Sequence, residues 1–181
     1  MRVFQAFLGF IVLALAASAA HADPVTIKPD ACDFAFTFPA AHAQSQTKSK
    51  TDRGDDVVTN RADLKLDVNG KSNFLRIECT RIPHQGLIDE EILKENMGNL
   101  AASYKLQDAL VSVDHNKLTG AVGHIQGRAK LGGKDITLRI DRYTSTNDIL
   151  DVWTGAEPDG FPSDAGAQFL KAITFNGQAL Q

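Results

Sequence analysis

The chain has 181 residues, with 19 Lys and Arg against 22 Asp and Glu, a net charge of −3 and 43% hydrophobic residues. That length suits one domain with a sizeable core. The slight acidity argues against nucleic acid or an anionic membrane surface as the main partner.

The first segment, MRVFQAFLGFIVLALAASAAHA, places Arg2 ahead of an apolar run from Phe7 to Ala17 and ends in Ala20-His21-Ala22. A short cationic start, an apolar run and an A-x-A site are the signature of a cleavable secretory signal peptide. The run falls short of the roughly 20 residues that span a bilayer. Residues 1–22 are therefore expected to be removed after Ala22, leaving residues 23–181 as one extracytoplasmic domain, periplasmic or secreted. No second run of spanning length follows, so no integral membrane segment is expected in the mature chain. In an oxidising compartment the two cysteines, Cys32 and Cys79, are expected to pair. Alternation places both on the apolar side of a strand, and closing so long a loop is worth about 4 kcal/mol in the chain-entropy description.

Cys32 to Phe38 alternates as a strand and stops at Pro39. The next stretch, 41–56, has no large apolar residue and reads as a flexible loop or an extended hairpin tip. Its Lys48, Lys50 and Arg53 form either a basic contact finger or simply a solvated surface. Residues 57–80 read as a hairpin about Asn69-Gly70, with Leu64 opposite Leu75, Leu66 opposite Asn73 and Val68 opposite Lys71. From Leu87 to Leu106 the period becomes helical, with Ile88, Ile92, Met97, Leu100, Ala101 and Tyr104 on one stripe. Asp89, Glu90 and Glu91 sit where the helix dipole favours negative charge.

A second β region follows. Val111 and Val113 mark a strand, and residues 121–131 pair with 134–144 through Gly132-Gly133. That turn sets Lys130 opposite Asp135, Arg128 opposite Thr137 and His124 opposite Asp141 on one face. The other face has small residues, Gly123, Gly127 and Ala129, which let a helix lie close. Residues 149–154 form a last strand with the only tryptophan, Trp153, and Ser163 caps a short closing helix bearing Phe169, Leu170 and Ile173. The order implies an α+β fold: an antiparallel sheet covered by helices, an α/β/α-type sandwich in a single domain.

No nucleophile elbow, zinc-protease helix, P-loop or dinucleotide-binding glycine run is present, and no catalytic residue or cofactor is assigned. His42, His84, His115 and His124 do not converge in the counted register, so no metal site is assigned either. The face with Arg128, Lys130, Arg139 and His124 could hold an acidic partner, or be balanced by Asp135 and Asp141.

The strand Phe34-Ala35-Phe36-Thr37-Phe38-Pro39, the hairpin, the strand Asn73-Phe74-Leu75-Arg76-Ile77-Glu78-Cys79-Thr80, the central helix and the terminal helix together resemble the PsbP-like sandwich family. The resemblance implies a noncatalytic accessory protein that docks on a larger assembly. Two functional expectations follow from all of this. One is an envelope accessory protein contacting a protein partner through a sheet face or the 41–56 segment. The other is a small-molecule-binding or hydrolytic domain with a pocket between helix 88–106 and the sheet, using Tyr104, Arg142 and Trp153.

Overall fold

The structure is a computed structural model describing residues 23–30, 32–68, 70–83 and 85–180. The expected signal peptide lies outside the described residues, as do Asn69 and His84. The chain forms β1 (Val25–Ile27), β2 (Phe34–Phe38), β3 (Ala43–Lys50), β4 (Asp56–Val68), β5 (Lys71–Arg81), helix α1 (Glu90–Ser103), β6 (Gln107–Asn116), β7 (Gly120–Leu131), β8 (Lys134–Thr144) and β9 (Asp148–Ala156). A short 3₁₀ turn at Pro158–Gly160, helix α2 (Asp164–Lys171), β10 (Thr174–Phe175) and β11 (Gln178–Ala179) complete it.

Seven strands form one antiparallel sheet in the order β3-β4-β5-β9-β8-β7-β6, and four short ones form a second in the order β1-β2-β10-β11. The registers counted from the turns hold: Leu64 pairs with Leu75, Leu66 with Asn73 and Val68 with Lys71. Likewise His124 pairs with Asp141, Arg128 with Thr137 and Lys130 with Asp135. Each apolar set therefore falls on a common face, as the period of two requires.

The expected helix-covered sandwich is overturned. The fold is mostly β, and the large sheet's inner face is closed mainly by the second sheet. Phe34, Phe36 and Phe38 of β2 lie against Leu75, Ile77, Leu150 and Val152, with Phe169 and Leu170 of α2 completing the layer. Three phenylalanines on alternate positions need a surface to face, and β2 supplies it by pairing with β1 and β10 instead of joining the large sheet. Cys32 and Cys79 form a disulfide between the two sheets, with Cα atoms 6.4 Å apart.

The opposite face, here the helix face, carries α1 over β6 and β7 only. Asp89 caps α1 by accepting a hydrogen bond from the Ile92 amide at 2.9 Å. Leu93, Met97 and Ala101 are its buried side, whereas Ile92 and Tyr104 of the expected stripe stay largely exposed. Close approach depends on Gly123: a Cβ there would stand 2.5 Å from Met97 Cγ.

Of the two expectations for 41–56, a flexible loop or an extended hairpin tip, the structure shows the hairpin: residues 43–50 pair in unbroken register with 56–63. Alternating Gln, Ser and Thr suit a strand that buries neither face, which hydrophobic periodicity cannot detect.

Candidate functional site

Three places gather chemistry. The first is the outer edge of the large sheet. β3 bonds only to β4, every one of its residues is exposed, and its register runs from Ala43↔Asp63 to Lys50↔Asp56 with no bulge. At the opposite edge, β6 is broken between Gln107 and Leu110, where Asp108 has φ 51°. Bulges of that kind protect an edge against adding a further strand, and β3 has none. Of the residues expected as a basic finger, Lys50 is tied to Asp56 Oδ1 at 2.9 Å and to the Gly54 carbonyl at 3.2 Å. That ammonium holds the Asp56 carboxyl below its ordinary range. Lys48 lies on β3 and Arg53 in the turn, neither in a salt bridge among the described residues. With Asp52, Asp55 and Asp56 beside them, the tip carries both signs.

The second place is the part of the helix face that α1 leaves uncovered. Cross-strand pairing lines up Arg61 with Glu78, Asp63 with Arg76, Glu78 with Asp151 and Arg142 with Asp151. Asp63 accepts from Arg61 Nε at 2.7 Å and from Arg76 Nε at 2.5 Å. Arg142 grips Asp151 with both ends of its fork, at 2.7 and 2.8 Å. Burial pushes the Asp63 carboxyl up, but the two arginine bonds outweigh it and leave it below the usual range. Among the described residues Glu78 has one salt bridge, to Arg61 Nη1 at 3.8 Å, and burial raises its pKa despite Arg76. Burial also raises the Tyr104 phenol, aided by the charge of Glu78. The row balances three cations against three acids.

Beside this row lie the aromatics. Tyr104, the residue that ends α1, meets Trp153 edge to face at 4.5 Å between ring centres. The Arg76 guanidinium stands 4.9 Å from the Phe74 ring centre and 5.5 Å from that of Trp153. Together with Leu106, Leu138 and their neighbours these residues line a cleft of about 140 Å³. Of the three residues expected to form a pocket, Tyr104 and Trp153 meet in this cleft. Arg142 instead faces Asp151 and does not line it. Phe74 and Arg76, which also line the cleft, were not expected as site residues; the signal was their strand position, since Arg76 pairs with Trp153.

The third place is the far part of the inner face. His124 Nδ1 lies 2.5 Å from Asp141 Oδ1, and His124 Nε2 lies 3.3 Å from Asp114 Oδ2. Arg139 Nε donates to both oxygens of Asp141, at 2.8 and 2.9 Å. Asp141 is fully buried, and a buried carboxylate requires such partners. Arg128 pairs with Asp108, and Lys130 approaches Asp135 at 3.7 Å. The four cationic candidates of this face are thus each matched by an acid. Ser112 stands opposite His124 in the register.

Where the two sheets join, Asp148 is fully buried and accepts a hydrogen bond from the Asp33 amide at 3.0 Å through Oδ2, while Oδ1 has no hydrogen-bond partner among the described residues. Burial raises its pKa to about 6, against the pull of that amide and with the Asp33 carboxyl adding to the rise.

Comparison with known protein families, with curated proteins and with solved structures found no match to this chain. The Cys32–Cys79 disulfide is consistent with an extracytoplasmic protein, and among the described residues no helix is long and apolar enough to cross a membrane.

Proposed function

We propose that this is an exported, noncatalytic accessory protein of the bacterial envelope, periplasmic after cleavage of residues 1–22, that docks an extended segment of a partner protein along β3. The observation that carries the reading is the bare edge itself: eight consecutive exposed strand residues in unbroken register, beside one open row of backbone donors and acceptors. Such an edge invites strand addition, and soluble proteins ordinarily blunt it with bulges or prolines. Here only Lys48 and Lys50 serve that purpose, both close to the turn. In strand addition the main-chain hydrogen bonds supply affinity, and side chains on alternate positions supply selectivity. The docking role is also what the PsbP-like resemblance implies.

Successive N–H groups of a strand point to opposite sides, so one of Gln46→Pro and Thr47→Pro removes an outward donor while sparing the ladder to β4. That variant is expected to keep the wild-type melting temperature and lose the partner recovered by cross-linking in the envelope. Unchanged recovery with both prolines would exclude β3 as the contact.

A further inference from the structure

The aromatic cleft on the helix face is independent of the β3 edge, and its lining points to a ligand. Phe74 and Trp153 form its floor, Tyr104 and Leu106 the wall at the end of α1, and Leu138 belongs to the strand between. Its only charged lining residues are Arg76 and Lys130; no acid lines it. Trp153 is 2% exposed and offers the cleft the edge of its ring, its indole Nε1 being sealed from solvent. The Arg76 guanidinium, placed over both rings, bonds to Asp63 through Nε alone, so its Nη groups remain available.

A cavity of about 150 Å³ accommodates a single benzene ring, and the cleft measures about 140 Å³. We propose that this cleft binds a single-ring organic carboxylate, the ring lying among Phe74, Tyr104 and Trp153 and the carboxylate meeting Arg76. Aromatic walls favour a flat apolar body, and the guanidinium fork matches the geometry of a carboxylate.

Trp153 is the only tryptophan in the chain, so its emission reports on the cleft alone. Benzoate is the probe, with benzyl alcohol as the ring without charge and acetate as the charge without a ring. Benzoate is expected to change Trp153 emission saturably, half-saturating near about 1 mM, and to move the indole N–H proton resonance, with both controls weaker by about tenfold or more. Ala129→Leu, which fills the cleft, is expected to weaken benzoate at least about tenfold. Arg76→Gln leaves Asp63 bonded to Arg61 and is expected to reduce benzoate to the level of benzyl alcohol. It decides the matter even if Ala129→Leu does not fold. No saturable response to benzoate, equal binding of benzyl alcohol, or benzoate binding that survives either substitution would overturn the proposal.

Discussion

The two faces of the large sheet are built on opposite plans. On the inner face, Phe34, Phe36 and Phe38 are sealed beneath a second sheet and held there by the disulfide. On the helix face, α1 covers β6 and β7 and stops, and the remaining strip carries arginines, carboxylates and a cleft. The first plan is that of a core, where close packing and a covalent tie supply stability. The second leaves paired, half-buried charges at the surface, where they are spared full desolvation. Apolar packing and paired charge are thus separated across the thickness of this part of the sheet.

The sharpest way to break the comparison is at the tie. Replacing Cys32 and Cys79 together by Ala is expected to cost about 4 kcal/mol in denaturant unfolding, for a bridge separated by 47 residues. A loss below about 1 kcal/mol would mean that β2 holds its place by phenylalanine packing alone.

The joint between the sheets also holds a titrating group. Because the folded-state pKa of Asp148 is raised to about 6 from 3.8, its favourable contribution is complete below 3.8 and is lost as pH rises through 6. Stability should therefore fall as pH rises from about 4 to about 6, and Asp148→Asn should flatten that slope. Thermal melts across that range check it, and a wild-type slope retained in the variant would assign the titration elsewhere.

Effects on the helix face should be smaller. Gly123→Ala drives a methyl group into Met97, which is fully buried, and is expected to cost about 2 kcal/mol. A neutral result would show that α1 rides freely on β7. Tyr104→Ala, at a 43% exposed side chain, should cost only about 1 kcal/mol while changing Trp153 emission strongly.

Much of the large sheet was legible from residues alone, because Leu64, Leu66, Leu75 and Ile77 alternate and glycine turns set the count. The close helix was legible as well, from Gly123 opposite larger neighbours. The second sheet was not. β10 and β11 are two residues each, too short for any period, although Asn176 and Gly177, at φ 49° and 80°, form the very Asn-Gly turn that marks hairpins. β3 was hidden for another reason: a strand with both sides in water has no apolar alternation to betray it. The cleft combines residues from α1, β5, β7, β8 and β9, and only pairing in space brings Arg76 to Trp153. The His124–Asp141 pair stood in the counted register, but counting could not reveal that Asp141 is buried beneath it.

The claim that β3 docks a strand is tested most directly by placing a photo-cross-linking amino acid at each position from 43 to 50 in turn, in the native envelope. Strand addition predicts that successive positions attach to successive residues of one linear segment in one partner, marching along it in register. Cross-links scattered over unrelated proteins, found only within β3 of a second copy, or absent at every position would contradict it.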